Sequence, residues 1–444
     1  MNPHKTATTI PTAPGRLPLL GHATRFARHP LEFLASLPAH GNLVRIYLGT
    51  RPVYVVCQPE ATHRLLLDSR TFDKGGPFFD ALRQLLGNGV GTSTYEPHRR
   101  QRLLLQPAFH RTELRRYAEV MTREINEEID GWPDGAVIDI FAHFFAVSTR
   151  AAARTLFVTT ATDDLVDELS RSLAVVLNGI FWRMADPTGH LRRLPTPGNR
   201  RYDRAERRLH AIVDSIIAAS RPGENTMLSR LLAARDDDGT RASSDEEIHD
   251  HVVTFLFTGT EVPIAIATWA VYLLARHPET MRALAAETGA FAGRTIGFDD
   301  LPGLVTTRNI LTETLRLYPT GWLFSRVTTR DTELAGHAVQ AGTPIFYSPY
   351  LLHRRAGVFD QPDRFDPDRW LPERIEALPS GAYVPFGGGA RKCIGDNFGF
   401  DEATIFLATL AARCRWDLTS GATVRPRPRV ALNPTRFSIH VRRR

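Results

Sequence analysis

The chain has 444 residues, 43% hydrophobic and 23% charged, which is enough apolar material for a large core and excludes a disordered or fibrous protein. Only Cys57, Cys393 and Cys414 occur, with no C-x-x-C pair, so a disulfide framework and a cysteine-rich zinc site are both disfavoured and a reducing compartment is expected. The net charge of +7 is spread over short clusters such as Arg99-Arg100 and Arg442 to Arg444 without interleaved aromatics, which reads as solvated surface and not as a nucleic-acid site.

Residues 1–20 form a proline-rich leader whose apolar "LPLL" is too short for a signal-peptide core or a membrane span, so a cytoplasmic protein is expected. Next, "NLVRIYLG" and "RPVYVVC" alternate Val44, Ile46, Leu48 and then Val53, Val55, Cys57, the period-2 signature of a hairpin. Helical periodicity then dominates from about residue 60 to 320. Further on, "TELAGHAVQAGTPIFYS" reads as two short strands around Gly and Pro turns. The predicted class is mainly α with a small β-sheet region, β-rich at about 21–60 and 325–350. No Ser/Gly linker interrupts the chain, so a single domain over 1–444 is expected.

One predicted helix differs from the rest. "SSDEEIHDHVVTFLFTGTEVPIAIATWAVYLLARHP" opens with Ser244 and Glu247 spaced as a capping box and stays apolar for roughly 30 residues. Apolar on all faces, it should run through the middle of the molecule. Its centre, Thr258-Gly259-Thr260-Glu261-Val262-Pro263, nevertheless holds a glycine, a carboxylate and a proline.

The stretch "PFGGGARKCIG" sets Cys393 among Gly387, Gly388, Gly389 and Gly395, beside Arg391 and Lys392 and just before a helix-patterned run. Helix-start N–H groups and neighbouring cations favour a thiolate, and glycines let backbone approach a flat, bulky object. A single thiolate ligand suits a soft metal whose other ligands come from a macrocycle. A phosphate loop is excluded, because Gly-Lys-Ser/Thr is missing. On the spacing alone, a buried inert cysteine remains an alternative.

The same stretch matches the haem-binding signature F-x-x-G-x-R-x-C-x-G and so resembles the cytochrome P-450 family, with Phe386, Gly389, Arg391, Cys393 and Gly395 at its defined positions. "ETLR" resembles the family's E-x-x-R element through Glu313 and Arg316, and "FDPDRW" supplies Arg369 as third member of that structural triad. The resemblance implies the family fold, with haem b (iron protoporphyrin IX) between the long central helix and the cysteine-loop helix and Cys393 as its only protein ligand. Cofactor-binding residues by similarity are Phe386, Gly387, Cys393 and Gly395, with His98, Arg102, Arg326, His353 and Arg391 toward the haem propionates. Substrate-lining residues by similarity are Phe78, Phe79, Val262, Pro263, Thr320, Gly321, Trp322 and Leu323, an apolar set that points to a substrate held by shape.

The chain departs from the family in its long helix, where most members read A/G-G-x-D/E-T: Gly259 and Glu261 are kept, but Val262 replaces the threonine. Valine cannot relay a proton. Pro263 lacks an N–H and so frees the Gly259 carbonyl, which predicts a kink and a spare acceptor; Thr258, one turn before Val262, is the nearest spare hydroxyl. Catalytic candidates are therefore Glu261, Thr258 and Gly259, unless Thr258 only bonds back to its own helix. The resemblance implies a haem-thiolate monooxygenase that draws electrons from NAD(P)H through an acidic ferredoxin and its reductase. Its substrate by similarity to bacterial terpene-oxidising members is a small apolar molecule, probed first as a sesquiterpene or other terpene. Peroxide-driven, coupling or rearrangement chemistry on another scaffold would tolerate the missing threonine, and so would a non-catalytic haem sensor.

Overall fold

A computed structural model describes residues 9–157, 162–184, 193–221, 223–224, 226–236 and 239–444; the first eight residues of the leader and Arg192 lie outside these ranges. The chain divides by packing into two compact units. One comprises 1–80, 316–364 and 371–393, and the other 81–315, 365–370 and 394–444.

The first unit is built on a five-stranded sheet in the order Leu43–Leu48, Arg51–Val56, Pro344–Tyr347, Phe324–Thr328, Phe72–Asp73. The predicted hairpin pairs Val44 with Val55 and Ile46 with Val53, all four buried as their alternation requires. The leader is tied to this sheet, since the Arg45 N–H donates to the Pro11 carbonyl at 2.7 Å and the Ala13 N–H to the Arg45 carbonyl at 2.9 Å. Arg51–Val56 also pairs in parallel with Pro344–Tyr347, so this sheet joins segments nearly 300 residues apart in the sequence.

Between 21 and 60, extended structure is confined to the hairpin. Ala23–Arg28 and Pro30–Ser36 are helical, as are the short turn Leu37–His40 and the helix beginning at Pro59. Proline at the first helical position and apolar Leu31, Phe33, Leu34 and Leu37 on one face account for the second of these. The segment read as two strands contains three, a two-stranded ribbon Thr332–Leu334 with His337–Val339 and the sheet strand Pro344–Tyr347.

The second unit is helical around one buried rod, Asp245–Arg276, against which helices Ile140–Ala152, Pro197–Ala219 and Asp396–Arg413 pack. This rod is long and apolar enough to cross a membrane, but 78% of its most apolar stretch is buried inside the protein. Ser244 caps it, accepting the Glu247 N–H at 3.1 Å. The Glu247 carboxylate bonds Arg100 and Gln101, at 2.5 and 2.8 Å. The helix continues through Pro263.

Candidate active site

In the first unit the cysteine loop is folded by its own backbone. The Cys393 N–H donates to the Phe386 carbonyl at 2.9 Å and the Gly387 N–H to the Val384 carbonyl at 3.1 Å. Gly389 sits at φ +62°, where a side chain would collide with the Leu66 carbonyl oxygen and stand 3.1 Å from Leu67 Cα, so only glycine fits. Cys57 and Cys414 are buried, and burial pushes the Cys57 thiol up to about 12. Cys393 alone of the three cysteines is exposed, which sets the inert-cysteine reading aside for it.

Cations gather beside this loop. Arg326 and Arg391 are 4% and 7% exposed, and Arg391 is paired with Asp73. Lys74, next to Asp73, is half-buried; burial, followed by the Arg391 and Arg326 guanidiniums, holds its ammonium well below the usual lysine range, against the opposing pull of Cys393 and Asp73. Aromatic rings lie under these charges: Arg326 is over Phe79 and Tyr347 at 5.6 and 5.3 Å, and Lys74 over Phe79 at 5.7 Å. Two buried guanidiniums and Lys74 are thus gathered in a poorly solvated place, a setting that suits a dianionic ligand. Haem, with two propionates, meets this requirement, and the exposed thiolate candidate is in the same unit.

Sequence reasoning missed Lys74, because a lysine in "FDKGG" reads as a surface charge until Arg326 and Arg391 are brought to it. His353 has a different setting: its Nε2 accepts the Val384 N–H at 2.9 Å, its ring lies 5.0 Å from that of Tyr383, and its carbonyl accepts from Arg316 at 2.8 Å. These contacts belong to the frame that holds the loop leading to Cys393. Arg316 spends further donors on the carbonyls of Pro362 and Arg364, at 2.6 and 3.0 Å. In the second unit Glu313 accepts from Arg369, Trp370 and the Asp366 N–H at 3.3, 3.0 and 2.9 Å, which joins Glu313 and Arg369 as the triad requires.

Phe78 meets Phe79 and Phe324 edge-on, with centroids 5.3 and 5.9 Å apart, and only Phe79 of the pair is fully buried. Thr320, Trp322 and Leu323 are buried, and Gly321 leaves room for the Phe324 ring.

In the second unit His98 is buried and Arg102 half-buried on the helix Tyr95–Leu105, one turn apart as predicted, and Arg102 reaches Gln106 at 3.4 Å. Gly395 caps the helix that follows the cysteine. On the long rod, burial is interrupted over four residues: Thr258 is exposed, and Gly259, Glu261 and Val262 are half-buried. The flanking residues 251–257 and 263–271 are buried, so the rod opens at its middle. Burial pushes the Glu261 carboxyl up to about 7, with Arg429 opposing. The Thr258 hydroxyl donates to the Thr254 carbonyl at 2.8 Å, so its proton is already committed and it is left as an acceptor. Pro263 is buried, and its ring packs against Gly399 of the cysteine helix, where a side-chain carbon would stand 3.6 Å from Pro263 Cγ and 3.7 Å from Val262 Cγ1.

The comparisons with known proteins agree with this chemistry. A family model for Cytochrome P450 matches residues 11–441. The chain is 46% identical over 425 residues to cyclooctatin synthase of Streptomyces melanosporofaciens, covering 95% of this chain and 93% of that one. It is 45% identical over 419 residues to pentalenene oxygenase of Streptomyces avermitilis, covering 94% and 93% of the two chains. It is 44% identical over 420 residues to cyclooctat-9-en-7-ol 5-monooxygenase of Streptomyces melanosporofaciens, covering 94% and 91%. The signature around Cys393, the pairing of Glu313 with Arg369, and this whole-chain likeness have one explanation: the chain belongs to the cytochrome P450 family and is one of its monooxygenases.

Proposed function

We propose that the whole chain acts as a single catalytic domain, in the cytoplasm, that hydroxylates a terpene hydrocarbon or a lightly oxygenated terpene. Haem, when bound, supplies dioxygen activation; the chain supplies ligation, orientation and protons. Cys393 is its thiolate ligand, and Arg326, Arg391 and Lys74 hold its propionates. The observation that carries this reading is the exposed Cys393 in a glycine-shaped loop, in the same unit as the buried Arg326 and Arg391. The terpene class is supported by the names of the pentalenene and cyclooctat-9-en-7-ol relatives and by the aromatic and aliphatic character of Phe78, Val262 and Leu323.

In this reading Glu261 carries protons at the opening in the middle of the long helix. A carboxyl pushed up to about 7 exchanges its proton readily at neutral pH. The Gly259 carbonyl, left without an N–H partner at position 263, and the Thr258 oxygen are acceptors that order water there. Val262 offers an apolar wall and no relay.

Electrons come from NAD(P)H through an acidic ferredoxin and its reductase. Arg391 is buried and paired with Asp73, so the exposed cation for docking at the cysteine loop is Lys392.

The test has two arms. Cys393→Ser should abolish the absorption band that the reduced carbon-monoxide adduct gives in this family, and an unchanged band would overturn the ligation. Co-expression with terpene cyclases under labelled dioxygen should give a singly labelled alcohol. Product without label would favour the peroxide-driven or rearrangement reading, and spectral response without turnover would favour a sensor.

A further inference from the structure

A pair of histidines in the second unit takes no part in the chemistry above. His210 stands on the helix Pro197–Ala219 and His249 near the start of the rod Asp245–Arg276, and these two helices pack on one another. His210 Nδ1 and His249 Nε2 are 3.2 Å apart, with ring centroids 4.9 Å from each other and ring planes 15° from parallel. Both residues are half-buried. Asp214, one turn after His210 on the same helix, sets its Oδ1 3.6 Å from His249 Nε2.

At this distance one ring donates an N–H to the lone pair of the other, so a single proton bridges the two. Two protonated rings would repel here. Burial, followed by His210, holds His249 below the usual histidine range, against the pull of Asp214 and Asp250. His249 is thereby kept neutral at pH 7, the form of imidazole that ligates a metal.

The same geometry suits an ion in place of the bridging proton. Two imidazole nitrogens bound to one tetrahedral ion, each at about 2.0–2.1 Å, lie about 3.3–3.4 Å from each other, close to the separation of His210 and His249. The bridging proton moves to the other nitrogen of its own ring, so both imidazoles stay neutral and no net proton is lost. Imidazole selects zinc, copper and nickel over magnesium, calcium and manganese. Among the described residues no group of three His, Cys, Asp or Glu side chains is set to hold a metal ion. The ion therefore has two protein ligands, with Asp214 supplying negative charge nearby and water taking the remaining positions.

We propose that His210 and His249 form a binding site for a divalent late transition metal, zinc in the first instance, which clamps the helix Pro197–Ala219 to the long rod. Its place in the fold gives the clamp a use. The residue after His249 is Asp250, whose Oδ2 accepts the Asn88 N–H at 2.7 Å and whose carboxylate leaves no room for a side chain at Gly87. Next, His251 Nδ1 accepts the Val90 N–H at 3.3 Å. One turn of the rod thus holds both the loop 87–90 and the helix Pro197–Ala219, and a bound ion ties that helix to the turn that fixes the loop. The ion is structural: it moves no electron and touches no bond of the substrate.

The test uses the haem-loaded full chain without an affinity tag, titrated with zinc chloride and followed by calorimetry and hydrogen exchange. Wild type should bind one zinc per chain, released by chelator, with the amides around His210 and His249 exchanging several-fold more slowly. His210→Ala and His249→Ala should each lose the site and the slowed exchange while keeping the thiolate absorption band. Asp214→Asn should bind about tenfold more weakly. Affinity should fall as pH drops below about 6.5, where protons compete for the two nitrogens. Asp214 and Asp250 act on His249, and Glu246 acts on Asp250, so these carboxylates set where that fall begins. Copper and nickel should displace zinc, and magnesium should not. Zinc bound with unchanged strength in both alanine variants, displacement by magnesium, or no zinc bound at micromolar free metal overturns the proposal. Should either alanine variant fail to take up haem, His210→Gln or His249→Gln replaces it, and a site that survives in that variant overturns the proposal as well.

Discussion

Replacing Pro263 with alanine should make the protein more stable and less well coupled. A proline inside a helix costs roughly 3 kcal/mol relative to alanine, because it removes an N–H and crowds the preceding turn. In this chain Pro263 is buried within the continuous helix Asp245–Arg276, and alanine would restore a donor to the Gly259 carbonyl. Against that gain stands the loss of ring methylenes packed on Gly399, about two at roughly 0.8 kcal/mol each. The balance is a stabilisation of about 1 kcal/mol, measurable as a higher denaturant midpoint of the haem-loaded protein with an unchanged slope. Coupling, measured as product formed per NAD(P)H consumed, should fall, because the acceptor that orders water is now occupied. A destabilised variant would refute the helix argument. A stabilised variant with full coupling would refute the role given to the Gly259 carbonyl.

Two further substitutions separate geometry from chemistry. Gly389→Ala places a side chain against the Leu66 carbonyl at φ +62°, whereas Gly387, at φ +72°, has nothing closer than the Tyr347 hydroxyl at 4.0 Å. Gly387→Ala should therefore cost about 1–2 kcal/mol of stability, from backbone conformation alone, and Gly389→Ala clearly more, with a weakened thiolate band; equal effects in unfolding and spectra would contradict the packing argument. For Glu261, coupling should change as pH passes through about 7, and Glu261→Gln should flatten that profile. Since its folded-state pKa is raised, folding takes up a proton between the ordinary carboxylate range and about 7, and its contribution to stability falls as pH rises through that window. A profile that keeps its inflection in the Gln variant would assign the titration elsewhere.

Much of the fold was legible because its signals are local. The hairpin shows in the alternation of Val44, Ile46, Val53 and Val55, the long helix in Ser244 and a long, mostly apolar run, and the cysteine loop in its glycines. Residues 23–40 escaped the reading because their helices are short, which leaves little periodicity to detect. The site was legible where one motif carries it, as at Cys393, and illegible where charge has to be summed across the sequence. Lys74, Arg326 and Arg391 are ordinary cations in isolation, and only the fold brings them beside one another and Cys393. His210 and His249 read as polar residues on separate helices until the fold brings their rings together.

The parallel pairing of Arg51–Val56 with Pro344–Tyr347 has a consequence for biosynthesis. As the chain leaves the ribosome, the N-terminal hairpin emerges early with one edge bare, and its partner strand follows only after most of the helical unit has been made. An unpaired edge rich in Val53, Val55 and Val56 is a template for association with other chains. Folding of the first unit is therefore slow by topology and vulnerable during synthesis. Expression at low temperature or with added holdase chaperones should raise the soluble yield, and chains truncated before residue 344 should collect in aggregates.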